Sequence, residues 1–152
     1  MMQAVDERVR AFLEHQHQAA MVTLRPDGTP HVVRVGVVLV DTAGGPRLWS
    51  SGVPERVRTR HLRRDPRSTL FVFDTSPQRR WLGLETTVTI LDGPDAPELS
   101  RRLFQEMQKG MAPEGKLFWA GSEKTPEELV EIMRQERRLI YEFEIHRAYG
   151  LA

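Results

Sequence analysis

Residues 49–73 read WSSGVPERVRTRHLRRDPRSTLFVF, and this stretch contains the pattern from which we infer the fold. It begins within a predicted strand, Arg47 to Ser51, and ends within another, Ser68 to Asp74. Between the two strands lie six arginines, in the segment Glu55 to Arg67. The 152-residue chain has a formal net charge of only +1, so this positive charge is local. A local cationic cluster between two strands indicates a site for an anion such as a phosphate.

The arginine-rich segment predicts a helix from Pro54 to Asp65. Proline suits a first helical position, because its missing N–H is not needed there, and Asp65-Pro66 ends the helix. Helical geometry places Arg58 on the inward side, while the remaining arginines point the other way. The inward side is marked by Val57, His61 and Leu62; the outward arginines are Arg56, Arg60, Arg63 and Arg64.

An inward arginine needs a counter-charge, because an unpaired buried charge is costly. The predicted helix begins close to Ser50, Ser51 and Gly52, where free N–H groups and the helix dipole favour an anion. A phosphate-bearing ligand could therefore supply the charge. The alternative is a solvated basic helix, with Arg58 paired to Asp65 or extended into solvent.

A second informative strand is predicted from His31 to Asp41. Its valines occupy both faces, which indicates burial by a core on one side and by a subunit interface on the other. Arg34 and Gly36 interrupt one face. A buried arginine requires an anionic partner, and a strand glycine often marks the close approach of a ligand. Both residues are therefore candidate ligand contacts. The alternative is that Arg34 pairs with Glu85 and that Gly36 relieves strain in the barrel.

The predicted fold is a β-barrel with peripheral helices, in the α+β class, formed as one domain over residues 1–152. The strands are mostly connected by hairpins and show no βαβ repeat, which favours a six-stranded antiparallel barrel. The six predicted strands are Ala19–Leu24, His31–Asp41, Arg47–Ser51, Ser68–Asp74, Arg79–Leu91 and Arg138–His146. The other helices are predicted at about 3–18, 94–109 and 126–137.

Composition excludes several classes of function. Charged residues make up 28% and hydrophobic residues 39%, and no segment has the ~20 apolar residues of a membrane span. The near-neutral balance argues against a nucleic-acid partner. Cysteine is absent, which excludes thiol chemistry and suits a reducing compartment, so we expect a cytoplasmic protein that does not bind membranes.

No side chain has the sequence context of a catalytic nucleophile or base, so the catalytic residues are left unassigned. The histidines lack metal-binding spacing, since His15 and His17 cannot share a helix face, and we predict no metal site. If the chain is an enzyme, a cofactor must carry the chemistry.

Three segments together resemble one known family, the split β-barrel proteins related to pyridoxamine 5′-phosphate oxidase. Residues 21–31 (MVTLRPDGTPH) look like their first hairpin, and residues 138–151 look like their final strand and tail. Residues 58–67 (RTRHLRRDPR) resemble the signature K-x-R-N-L-R-R-D-P-R that follows their third strand, and this is the specific match. The LRRDPR form is most similar to the actinobacterial branch that uses the deazaflavin coenzyme F420 instead of FMN.

The resemblance implies a six-stranded FMN-binding split barrel that forms a homodimer, with two cofactor sites at the interface. It also implies an oxidoreductase that transfers a hydride between F420 and a small, flat substrate. The alternatives are an FMN-dependent oxidoreductase or a non-catalytic protein that binds F420 or haem. Carried over to this sequence, the cofactor contacts are Ser50, Ser51, Arg56 and Arg58, with Thr59 and Arg60 in addition. Arg58 and His61 replace the family's lysine and asparagine, and Arg34 replaces a smaller polar residue.

Overall fold

The computed structural model describes residues 4–152, so the predicted helical position Gln3 lies outside the described residues. Four helices and nine strands follow one another along this part of the chain. In chain order they are α1 (Glu7–Leu13), β1 (Gln18–Leu24), β2 (Pro30–Gly36), β3 (Val38–Thr42), β4 (Gly45–Gly52), α2 (Val57–Arg64), β5 (Arg67–Phe73), β6 (Trp81–Leu91), α3 (Ala96–Met107), β7 (Leu117–Trp119), β8 (Ser122–Lys124), α4 (Pro126–Gln135) and β9 (Leu139–Leu151).

Seven strands form one antiparallel sheet in the order β2–β1–β5–β6–β9–β4–β3. The prediction of an antiparallel split barrel in the α+β class is confirmed, but the number of strands was wrong, because the predicted strand His31 to Asp41 is two strands. The break falls at Val37, whose N–H donates to the carbonyl of His17 (3.0 Å) instead of joining a ladder. The His17 ring in turn contacts the Val37 carbonyl through Nδ1 (3.1 Å).

The two ends of the sheet therefore meet at one residue. β2 pairs only with β1, and β3 pairs only with β4, so no hydrogen-bonded ladder joins β2 to β3 within residues 4–152. The barrel is thus split rather than closed, and the chain itself connects the two ends of the sheet at Val37.

A hydrophobic core fills the barrel, and helices cover parts of its outside. Leu48, Tyr141 and Phe143 belong to the interior, where each is fully buried. On the outside, α3 lies over β3, β4 and β9, where Leu103 packs with Trp49 and Ile140. Among the described helices, none is long and apolar enough to cross a membrane.

The segment 110–125 between α3 and α4 contains a two-stranded hairpin formed by β7 and β8. The strands are joined by Ala120 and Gly121, which both have positive φ (51° and 82°), as the tight turn of a two-residue hairpin requires. Thr125 then caps α4 and shares a capping box with Glu128. The hairpin packs on α4 through a small cluster that includes Leu117 and Leu129.

Helix α2 begins at Val57, three residues later than predicted, because residues 54–56 form a turn. Thr59, His61 and Leu62 are its buried residues. Val57 is 42% exposed, so its predicted inward position was wrong. Arg58 is half-buried between these positions, as its helical position predicted.

Candidate functional site

The end of β4, the neighbouring strand β2 and helix α2 surround one region of the barrel, in which β2 and β4 contact each other, and we refer to this region as the cleft. The β3–β4 ladder ends at the pair Val38–Trp49, so Ser50, Ser51 and Gly52 pair only with β9. The opposite edge of the cleft is β2. Helix α2 follows directly from this end of β4, and its buried His61 meets His31 at the start of β2 (5.3 Å between ring centroids). The cleft thus lies beside the arginine-rich helix.

Three polar atoms at this end of β4 and on α2 are buried without partners. Among residues 4–152, nothing within hydrogen-bonding distance satisfies Ser50 Oγ, Ser51 Oγ or Arg58 Nε. Ser50 is 1% exposed. Buried polar atoms are nearly always paired, and Ser50 and Ser51, as successive strand residues, face opposite sides of the sheet, so each unsatisfied atom is a separate candidate contact for a ligand with acceptor oxygens. A phosphate meets this requirement, because it can accept from hydroxyls and from a guanidinium.

The Arg58 side chain is held in position by packing against an aromatic ring rather than by an ion pair. Its guanidinium lies over the ring of Tyr141, with Cζ 5.7 Å from the ring centroid. Its sequence-based alternative partner, Asp65, is bound instead by Arg67, with the closest nitrogen and oxygen 2.8 Å apart. In the described part of the chain, Arg58 forms no salt bridge, so its charge remains available.

Tyr141 also ties α2 to the end of β4. Its hydroxyl hydrogen-bonds the hydroxyl of Thr59, which donates in addition to the Val53 carbonyl (2.8 Å). Gly52 makes room for this arrangement, because a Cβ at that position would collide with the Tyr141 phenol. Thr59 is completely buried and its hydroxyl is engaged, so its part in the site is to fix Tyr141, which in turn supports Arg58.

The other arginines of the run fall into two groups. Arg56 caps the N-terminus of α2 without a side-chain cap bond, and the first turn carries no acidic residue, so the positive end of the helix dipole is not neutralised. Arg56 and Arg60 are both exposed. The remaining arginines form contacts within the fold. Arg63 pairs with Asp92, Arg64 donates to the Leu24 carbonyl, and Arg67 pairs with Asp65.

Arg34 and Gly36 are not part of this cluster. Both lie on the outward face of β2 and are exposed in the single chain, so the predicted cover of this face by a subunit interface stays a prediction. Val32 on the same face is 60% exposed, because no element of the described chain covers it. Glu85, the alternative partner of Arg34, lies 3.9 Å from Arg147 instead. Arg34 and Gly36 line a separate groove of about 590 Å³ between β2, α3 and the β7–β8 hairpin.

His61 joins α2 to β1 inside the barrel. Its Nδ1 lies 2.9 Å from the Thr23 hydroxyl. Burial lowers the pKa of His61 below its ordinary value, and the positive charges of His31, Arg64, Arg25 and Arg60 lower it further. The neutral ring is therefore the favoured form in the folded state, and it adds no positive charge to the arginine cluster.

Comparison with known proteins agrees with this architecture. The family model described as pyridoxamine 5′-phosphate oxidase matches residues 5–146. The chain belongs to this family. Sequence resemblance at residues 58–67 is thus confirmed by a match that extends over most of the chain.

One relative within reach of sequence comparison is the F420H2-dependent biliverdin reductase of Mycobacterium tuberculosis (strain CDC 1551 / Oshkosh). It is 28% identical over 142 residues, which cover 93% of this chain and 85% of the relative. Among solved structures, conserved hypothetical protein Rv2991 from Mycobacterium tuberculosis has a TM-score of 0.71 at 19% identity, covering 99% of this chain and 85% of its own. A structure described as F420 reductase has a TM-score of 0.64 at 19% identity, and the match covers 92% of this chain and 94% of that one. These structures share the fold of this pyridoxamine 5′-phosphate oxidase family member.

Several residues of this family member matter at the cleft or the groove but were not assigned to a site from the sequence. Tyr141 and Gly52 support Arg58, and the side chains of Phe104 and Met107 face Arg34 and Gly36 across the groove. A glycine directly after a strand was the one available signal for Gly52. Tyr141 alternates inward on β9 like its neighbours and had no distinguishing pattern.

Proposed function

We propose that this chain is an F420-dependent oxidoreductase whose cofactor phosphate binds in the cleft beside α2. The observation that carries the proposal is the set of buried, unpaired atoms at Ser50, Ser51 and Arg58. The F420H2-dependent biliverdin reductase, similar over 93% of this chain, supports F420 over FMN. The acceptor proposed is a small, flat, electron-poor molecule.

Each of the proposed contacts has a separate part in holding the cofactor. Ser50 and Ser51 donate hydroxyl hydrogens to phosphate oxygens, and Arg58 supplies the charge and a planar set of N–H donors. Arg56 and Arg60, exposed at the same helix, attract the acidic tail. Thr59 contributes by fixing Tyr141 beneath Arg58. We place the ring end toward the edge of β2 that bears Arg34 and Gly36.

When bound, reduced F420 supplies a hydride to an electron-poor acceptor, and a proton completes the two-electron reduction. The chain's own contribution is binding, orientation and exclusion of water. Ser50 is buried at the end of the cleft from which water is excluded. The electrostatic attraction between an anionic group and Arg58 is strongest in such a place.

We further propose that the protein is a homodimer joined through an aromatic face on the outside of the sheet. This face is defined by Phe71, Phe73, Trp81 and Tyr149, with Phe71 and Trp81 in contact (5.5 Å between centroids). Phe71 is 41% and Tyr149 41% exposed, which is unusual for adjacent aromatic side chains on a monomer. A second copy is the proposed cover, because the face continues onto β2, where Val32 is also exposed.

Titration of F420 and of FMN into the cofactor-free protein, followed by tryptophan fluorescence, tests the cofactor proposal. Replacement Arg58→Gln should weaken F420 binding by about 1–3 kcal/mol, the scale for losing a charged hydrogen-bond donor. Arg58→Lys should retain part of the affinity, because lysine keeps the charge without the fork. Arg63→Gln is the matched control, since Arg63 pairs with Asp92 on the surface and should leave affinity unchanged.

Two results would contradict the proposal. Tight binding of FMN with no response to F420 would favour the FMN-dependent alternative. Equal F420 affinity for the Arg58→Gln variant and the unmodified protein would remove Arg58 from the site.

A further inference from the structure

The groove on the outer face of β2 is an open depression, separate from the residues assigned to the cofactor phosphate. Its floor is β2, where Gly36 lies beside Met107 of α3; a Cβ at Gly36 would lie 3.4 Å from the Met107 Cε, an ordinary contact distance. Its far wall is the β7–β8 hairpin, including Trp119. Its volume of about 590 Å³ falls within the range of roughly 300–1,000 Å³ that is typical of small-molecule pockets.

The lining is mostly apolar, with the polar side chains of His17, Gln18 and Gln108 and one cationic side chain, Arg34. Phe104, Met107, Met111, Phe118 and Trp119 supply aromatic and thioether surface. Arg34 borders this surface, and no acidic residue in the described part of the chain forms a salt bridge with it. An exposed cation beside an apolar wall selects for a ligand that combines an apolar body with an anionic group.

The hairpin wall is held rigidly in place rather than resting loosely on the groove. The Gln108 side chain donates to the Phe118 carbonyl (3.0 Å) and accepts from the Phe118 N–H (2.8 Å). Trp119 lies between the Phe104 ring, 5.2 Å away between centroids, and the guanidinium of Arg138, 5.1 Å from the Trp119 centroid. A fixed aromatic wall opposite flexible methionines suits a flat ligand whose outline varies.

We propose that this groove is the acceptor site and that it binds flat, apolar molecules bearing a carboxylate or similar anion, which Arg34 holds at the rim. The role as an acceptor site rests on the proposed function, whereas the binding specificity does not. Met107 and Trp119 then determine which ring systems fit, and Arg34 determines which end of the molecule faces β2.

Two fluorescent probes of nearly the same shape separate the contribution of charge from that of apolar contact. Anilinonaphthalene sulfonate carries an anion, and N-phenyl naphthylamine is its neutral counterpart. Arg34→Gln should weaken binding of the sulfonate about five- to twentyfold, the scale for one charged contact, and leave the neutral probe unchanged. Trp119→Ala should weaken the binding of both probes, because it removes aromatic surface that both would contact. Lys124→Gln, which removes a positive charge from the same hairpin outside the groove lining, is the matched control and should change neither.

The proposal is overturned if Arg34→Gln leaves sulfonate affinity unchanged, if Trp119→Ala changes neither probe, or if neither probe binds saturably. Circular dichroism of each variant verifies that the fold is retained. The F420 titration is run on the same samples. Saturable probe binding without F420 binding would reject the cofactor proposal and keep the groove's specificity; F420 binding without probe binding would reject the groove alone.

Discussion

Replacement Gly52→Ala tests the packing that places Arg58 beside the cleft. A Cβ at position 52 would overlap the Tyr141 phenol, and Tyr141 is fully buried, with its hydroxyl bonded to Thr59. Overpacking of this kind costs about 1–3 kcal/mol, and loss of the hydroxyl pair adds about 1 kcal/mol. Reduced freedom of the unfolded chain offsets about 0.4–1 kcal/mol. The net expectation is a loss of about 1–3.6 kcal/mol of unfolding free energy.

Urea denaturation followed by tryptophan fluorescence measures this loss, and Gly36→Ala is the matched control. Gly36 is also a strand glycine, but an added Cβ there meets only the flexible end of Met107 at an ordinary contact distance. Gly36→Ala should therefore stay within about 0.5 kcal/mol of the unmodified protein. If Gly52→Ala also stays within that limit, Tyr141 is free to move aside and the proposed support of Arg58 is wrong.

Three further outcomes are expected. The pKa of His61 is lowered in the folded state, so from about pH 6.5 downward the unfolded chain binds more protons than the folded chain, and the unfolding free energy decreases as pH decreases. Replacement His61→Asn should reduce this pH dependence, and an unchanged pH dependence would assign it to other groups. Phe71→Glu should convert a dimer to a folded monomer in sedimentation experiments, whereas a monomeric unmodified protein would contradict the dimer proposal. Thr125→Ala removes the capping box of α4 and should lower the unfolding free energy measured by urea denaturation by about 0.5–2 kcal/mol. An unchanged unfolding free energy would mean that the cap does not form in solution.

The local parts of the fold and site could be predicted from the sequence. Turn residues and alternation located most strands, and helical periodicity showed that Arg58 differs from its outward neighbours. What supports Arg58 could not be predicted, because Tyr141 lies 82 positions away from the Thr59 it bonds, and one sequence carries no signal for such a pairing. The cofactor assignments remain proposals for the same reason: they depend on contacts with a molecule outside the chain.

Other errors have local causes. The break at Val37 lies within a run of valines, directly after Gly36, and the backbone N–H and carbonyl of Val37 contact His17 instead of joining a ladder. The strands β7 and β8 have three residues each, too few for alternation to be recognised. The valines around Arg34 predict cover on both faces; the single chain covers one, and cover of the other by a second subunit stays a prediction.

The single residue that joins β2 to β3 also determines how the cleft can change shape. Val37 is held from both sides by His17, and the two sheet edges leave it in different directions. Because the edges share one covalent pivot, the cleft has a fixed narrow end, and any widening is a rotation that grows with distance from Val37. Ser50 lies near the pivot and keeps its position. A cofactor phosphate bound by Ser50 would therefore be held at the narrow end, and a change in width would act on the parts of the cofactor farther from it.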